Sequence, residues 1–209
     1  MIFRLNDDLV FPPTELAEDD GLLAVGGDLS VARLLLAYQS GIFPWYSDET
    51  PVLWYAPHER FVLYPDELKI SKSMRKILAS GCFSVTYNTC FADVITACAQ
   101  MDRTDQDGTW ITSDMRAAYI ALHLAGHAHS VEVWQKGELV GGAYGVATGK
   151  VFCGESMFSK VSNASKVALI TLCQNGNYKL IDCQVHTDHL ESMGARMIDR
   201  EEYMRILAG

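Results

Sequence analysis

The stretch from residue 129 to 185 restricts the possible folds more than any other. Three runs of strand character, HSVEVWQ, ELVGGAYGVATG and VFCGESMF, follow one another with Lys136-Gly137 and Gly149-Lys150 as the turn signals between them. So short a link, with glycine in it, suits a hairpin turn, because the turn needs residues that tolerate a positive φ. An antiparallel meander is therefore expected. After it SNASKVALITLCQN carries a capped helical pattern and KLIDCQV returns as a strand. A meander followed by a helix and a further strand implies an α+β sheet with helices packed on its faces.

Upstream, the same texture of alternating strands and helices begins near residue 59: RFVLYP, SKSMRKILAS, FSVTYN, FADVITACAQM and SDMRAAYIALHLAG, the last closed by Gly126. Before it the chain is rich in prolines and aromatic clusters and holds one clear helical pattern, residues 31–40, with Ser30 as N-cap and Gly41 just past its end. Pro57 marks the boundary, giving a small N-terminal domain over residues 1–58 and a larger domain over 59–209. A last helix, DREEYMRILAG, starts from Asp199 as N-cap.

At 209 residues and 49% hydrophobic content the chain can bury a sizeable core. A net charge of -9 argues against a nucleic-acid binder held by whole-surface charge, so a polyanionic partner must meet a local basic patch. One exists: Lys72, Arg75 and Lys76 fall three and four residues apart on one predicted helix, with Lys69 just before it. The six cysteines form no C-x-x-C pair and the chain opens MIFRLNDD, without a basic stretch followed by a long apolar one. Reduced thiols in a cytoplasm are expected. No apolar run approaches the roughly 18 residues that cross a bilayer, so no membrane partner is expected.

One residue conflicts with its surroundings. Asp182 interrupts an apolar strand, and burying an unpaired charge costs several kcal/mol. It is either a structural carboxylate, capped or ion-paired, or a working one. Strict alternation places Gln184 on the same face and Cys183 on the other. Glu155 is a second acid in an apolar strand. Trp45, Trp54 and Trp110 lie in proline- or glycine-bearing stretches, where an indole either fills core or stacks on a base.

GGDLS (26–30), GIFPWYS (41–47), LWYAP (53–57), GTWIT (108–112), GHAHSVEVW (126–134), FCGESMFS (152–159), NASK (163–166) and LIDCQ (180–184) occur in this order. Together they resemble the leucyl/phenylalanyl-tRNA-protein transferase family. The resemblance implies transfer of leucine or phenylalanine, and less readily methionine, from aminoacyl-tRNA to proteins that begin with Arg or Lys, marking them for degradation by the N-end rule pathway. It also implies an acetyltransferase-like (GNAT-like) larger domain, with a mixed, mostly antiparallel sheet flanked by helices. On the matching positions Asp182 and Gln184 take the catalytic places. Trp45, Trp110, Phe152, Gly154, Glu155 and Met157 line the aminoacyl-adenosine pocket, and Lys72, Arg75 and Lys76 meet the acceptor stem. Ala143 stands where the family carries a larger side chain. An aminoacyl ester is already activated, so the reaction calls for no metal, nucleotide or redox cofactor, and a monomer suffices.

Three other readings are weaker. His123, His127, His129, His186 and His189 with Asp188 invite a metal hydrolase, but His123 and His127 lack the intervening glutamate of H-E-x-x-H, and Gly126 breaks the helix between them. An acetyl-CoA acyltransferase would need a glycine-rich turn for pyrophosphate, which FSKVSNASK lacks. A non-catalytic tRNA-binding module would give no transfer product.

Overall fold

The structure, a computed structural model, describes residues 2–101 and 111–209. Its first part comprises β1 (Phe3–Leu5), β2 (Leu22–Gly26), α1 (Val31–Gln39), β3 (Phe43–Pro44) and β4 (Leu53–Tyr55). Helix α1 starts as expected, with the Ser30 hydroxyl accepting the Arg33 N–H at 3.3 Å, and Gly41, at φ 71°, turns the chain back beyond it. Around α1 the short strands pair in the order β1-β2-β4-β3, with β1 and β2 parallel. This sheet carried no sequence signal, since strands of two to five residues show too little periodicity.

From residue 59 the elements are β5 (Glu59–Leu63), α2 (Lys72–Ala79), β6 (Ser84–Tyr87), α3 (Phe91–Ala99), α4 (Ser113–Leu124), β7 (Ala128–Gln135), β8 (Glu138–Thr148), β9 (Val151–Ser159), α5 (Ala164–Asn175), β10 (Leu180–Gln184), α6 (Asp188–Ser192), β11 (Arg196–Asp199) and α7 (Arg200–Ala208). The meander is present, with Lys136 and Gly137 both at positive φ, 53° and 81°. Among the described residues the larger sheet runs β11-β5-β10-β9-β8-β7-β6. Every neighbouring pair in it is antiparallel except β9 and β10, because the α5 crossover returns the chain alongside β9.

Each face of this sheet is covered. On one, Tyr38 of α1, Val94 of α3, Tyr119 of α4 and Trp54 of the small sheet bury against Tyr144, Val146 and Leu180. On the other, Val167, Ala168 and Ile170 of α5 pack on Val131, Val140, Ala143, Phe152 and Ile181. The small sheet and α1 thus share a core with the larger sheet. Each fully buried Leu, Ile or Phe contributes about 1.5–3 kcal/mol, which makes these two layers the main source of stability.

Two irregularities matter below. Between β8 and β9 the register slips, so that Tyr144 faces Ser156, Gly145 faces Gly154, and Glu155 is left without a partner. Gly145 is obligatory there, since a Cβ would run into the Cys153 carbonyl and approach the Phe152 ring at 2.6 Å. The second slip lies between Asp182 and Gln184 on the β5 side of β10.

Candidate active site

The sheet splits at the carboxyl end of its parallel pair. β9 and β10 pair through Leu180–Val151, Ile181–Phe152 and Asp182–Cys153 and then part. Gly154 sits at the parting point, where an added Cβ would lie 3.3 Å from the Asp182 carbonyl oxygen. Side chains beyond that point can therefore face each other across a gap. Gln184 and Glu155 do so: the Gln184 carboxamide Nε2 donates to Glu155 Oε1 at 2.8 Å.

Gln184 reaches Glu155 by an unexpected route. Plain alternation would need an extended backbone, but Gln184 has φ 60°, a left-handed conformation that is uncommon for a residue with a Cβ. Its N–H donates to Asp182 Oδ1 at 3.0 Å, closing a local turn that compensates this strain. Asp182 thus acts on Gln184 through the backbone.

Asp182 is fully buried, and its Oδ2 pairs with Arg60 Nη2. Arg60, itself 2% exposed, lies on β5 and is held on several sides. Its guanidinium sits between the rings of Phe43 (4.9 Å) and Tyr203 (4.4 Å), and Nη1 donates to the Gly41 carbonyl at 2.9 Å. Burial alone would favour the neutral guanidine; Asp182 and Tyr203 outweigh it and raise the Arg60 pKa. The ion pair answers the question that Asp182 posed, since its charge is matched and hydrogen-bonded on both oxygens.

Glu155 has a different environment. Tyr38 from α1 donates to Oε1 at 2.7 Å and Tyr119 from α4 to Oε2 at 3.0 Å, and the two phenols also contact each other. All three donors, including Gln184, are neutral. Burial pushes the Glu155 pKa up to about 7, opposed by these hydrogen bonds. Both tyrosines are raised well above their ordinary value, by burial first and the Glu155 charge second.

Of the other expected site residues, Phe152 and Met157 lie on the α5 face, with Ala143, opposite the Glu155 side chain. Plain alternation puts Phe152 there, and the bulge at Glu155 adds Met157, which alternation would have put on the Glu155 face. Trp45 is 41% exposed and tilts against Tyr55 at 5.9 Å. Trp110 lies outside the described residues. Trp54 is core, with Nε1 donating to the Gly26 carbonyl at 2.9 Å. Lys72, Arg75 and Lys76 are exposed on α2 around the buried Met74.

Sequence reasoning missed Arg60, Tyr38, Tyr119 and Tyr203. A charge beside the apolar run Phe61–Leu63 was a usable signal for Arg60; a tyrosine on an apolar helix face looks like any core residue. His123 is engaged elsewhere: its Nδ1 donates to the Ala128 carbonyl at 2.8 Å and its ring stacks on Phe91. Among the described residues, three possible metal ligands meet only at His186, Asp188 and Glu191, all exposed. An open groove of about 570 Å³ between residues 9–15, α1 and α7 is lined mainly by apolar side chains, with Thr14, Glu15, Gln39 and Ser40 among them.

Two family models match this chain, leucyl/phenylalanyl-tRNA protein transferase over residues 62–208 and the N-terminal domain of the same transferase over residues 27–58. The chain belongs to the leucyl/phenylalanyl-tRNA protein transferase family. As a member it is an aminoacyltransferase. Relatives of that name are 58% identical in Syntrophobacter fumaroxidans, over 99% of this chain and 90% of that protein, and 58% identical in Flavobacterium johnsoniae, over 99% of both. Solved structures resemble it more distantly. FemX aligns with TM-score 0.47 and 9% identity over 80% of this chain and 66% of that one. A GCN5-related N-acetyltransferase from Kribbella flavida gives 0.38 and 9% over 77% and 58%. Within the transferase, buried Glu155 and the buried Arg60–Asp182 pair form one polar network with the partly buried Gln184 at the split in the sheet. Among the described residues no helix is long and apolar enough to cross a membrane.

Proposed function

We propose that this transferase moves leucine or phenylalanine, and less readily methionine, from aminoacyl-tRNA to the α-amine of proteins with N-terminal Arg or Lys, marking them for N-end rule degradation. The observation that carries the reading is the Gln184 carboxamide, fixed by a left-handed turn and by Glu155 at the split between β9 and β10. Joining an activated ester to an amine needs two reactants held in register, and correct placement is worth roughly 7–11 kcal/mol of the barrier. A carboxamide locked at both its backbone and its side chain is suited to that task.

In this reading Gln184 orients the attacking amine by a hydrogen bond and Asp182 is a positioning residue. Asp182 is matched by Arg60 and fully buried, so the cationic acceptor terminus meets Glu155 instead. The aminoacyl side chain lies toward the α5 face, against Phe152 and Met157, with Gly154 allowing close approach of the backbone. Trp45 and Trp110 flank the terminal adenosine. Lys72, Arg75 and Lys76 bind acceptor-stem phosphates, which carry no sequence information, so several tRNAs can serve. The protein works as a monomer in the cytoplasm.

The test is transfer from Leu-, Phe- and Met-charged tRNA to a peptide beginning with Arg, with a peptide beginning with Ala as control. Product with the first two tRNAs and the Arg peptide is expected. No product from any of them refutes the reading.

A further inference from the structure

An amine that attacks an ester becomes cationic in the tetrahedral adduct and must shed a proton, while the departing ribose oxygen must gain one. Gln184 cannot serve as the carrier, because an amide oxygen is a very weak base. Asp182 cannot either: it is fully buried and held by Arg60. Glu155 can. Its Oε1 is occupied by Tyr38 and Gln184, but Oε2 accepts only from Tyr119 in the hydrogen bonds of this network. A carboxylate has about four acceptor positions, so Oε2 keeps acceptor capacity for a further donor. Glu155 also keeps 7% of its surface exposed, next to the point where β9 and β10 part.

We propose that Glu155 is the proton carrier of the transfer, with Tyr38 and Tyr119 as the positioning residues that aim its carboxylate. The step rests on the reading given above. The acceptor nitrogen forms a bond to the ester carbonyl carbon, and the carbonyl pair moves to oxygen. The nitrogen releases a proton to Glu155 Oε2. Collapse of the adduct re-forms the carbonyl and breaks the bond to the ribose oxygen, which takes the proton from Glu155 and leaves as the tRNA hydroxyl. No other reactant is needed, and Glu155 ends as it began.

The surroundings suit a group that both takes and gives a proton near neutral pH. Tyr38 (α1), Tyr119 (α4) and Gln184 (β10) face Glu155 directly, and Asp182 (β10) acts on it through space. Arg60 on β5 offsets the Asp182 charge, and Tyr203 of α7 and Cys153 of β9 stand behind that pair. Burial brings the Glu155 pKa to about 7, where a general base and acid is most effective.

Single-turnover transfer from Phe-tRNA to an Arg-starting peptide, measured from pH 5.5 to 8.5, tests this. The titration of the peptide amine is common to all variants and cancels when each rate is divided by that of the wild type. For Glu155→Gln the quotient should be close to one at pH 5.5 and fall to about 0.01 by pH 8, the size expected of a lost general base. A quotient independent of pH means that Glu155 only supports structure and overturns the proposal. Tyr119→Phe removes a donor to the carboxylate, so its deficit should be largest below pH 7 and its rising limb should sit roughly one pH unit higher. If Glu155→Gln fails to fold, an unmoved limb in Tyr119→Phe is by itself sufficient to overturn it. Absence of product from the wild type, in contrast, refutes the transferase reading on which the step depends.

Discussion

A carboxyl group whose pKa rises from 4.5 to about 7 on folding makes the folded state less stable as pH increases. Below pH 4.5 Glu155 is protonated in both the folded and the unfolded chain, and contributes nothing to the difference. Between 4.5 and about 7 the unfolded chain has released the proton while the folded chain retains it, so stability falls with rising pH; above 7 the loss is complete. That gap corresponds to about 3 kcal/mol. Glu155→Gln removes the charge while keeping the shape, and a neutral carboxamide at this position can accept from one tyrosine and donate to the other. Allowing about 1 kcal/mol for one less favourable hydrogen bond, the variant should be more stable than the wild type by about 2 kcal/mol at pH 8. At pH 4.5 the order reverses or the two are equal. Urea unfolding at both pH values reads this directly. With a slope of about 2 kcal/mol per molar urea, the midpoint at pH 8 should move up by about 1 M. A midpoint difference that is the same at both pH values, or a variant less stable at pH 8, would show that burial does not disfavour the Glu155 charge.

The other predictions concern the same network and the tRNA patch. Arg60→Met leaves Asp182 buried without its cation and should cost about 3–5 kcal/mol in urea unfolding, most of it recovered when Asp182→Asn is added, while transfer activity stays low in both; a cost below about 1 kcal/mol for the single variant would refute the pairing. Gln184→Glu replaces a 2.8 Å hydrogen bond by two adjacent carboxylates, so transfer should drop at least about 10-fold at pH 8 and recover in part at pH 6, where one proton can be shared; an activity and pH profile equal to the wild type would exclude an orienting role. Lys72→Ala with Lys76→Ala should weaken tRNA binding and flatten its logarithmic salt dependence by roughly one per charge removed, and an unchanged slope would remove α2 from the interface.

Local signals account for what could be read in the sequence. Lys136-Gly137 predicts a hairpin because two consecutive residues at positive φ are required there, and Ser30 marks a helix start because its hydroxyl satisfies an otherwise free N–H. What stayed hidden depends on contacts distant in sequence. Tyr38 and Glu155 are 117 positions apart and Arg60 and Asp182 are 122, and no periodicity reports on such pairs. The small sheet was invisible for a related reason: its shortest strand is Phe43–Pro44, and its stability derives from packing against the larger sheet. Alternation misassigned a face at the Glu155 bulge, where Met157 falls on the α5 side. At β10 it placed Gln184 and Cys183 on the right faces but missed the left-handed turn at Gln184. Around Glu155 and again at Gln184 one residue breaks the count, and these are the positions where two side chains must turn toward a shared gap.

The two acids in this network therefore have separate tasks, set by what each one faces. Asp182 has a guanidinium on one oxygen and a backbone N–H on the other, which leaves it no way to meet a substrate but makes it a rigid anchor for Gln184. Glu155 has only neutral donors and a route to the split, so it is the carboxylate that can change its protonation during a reaction. Arg60 is what separates them. Without a cation at Asp182, two negative charges would compete within one low-dielectric region, and Glu155 would be pushed further toward its protonated form. The Gly41 carbonyl, just beyond α1, and the rings of Phe43 and Tyr203 hold that cation in place, while Tyr38 on the same helix holds Glu155. A displacement of α1 would thus disturb both acids together, which gives the small N-terminal part a direct role in the geometry of the reaction.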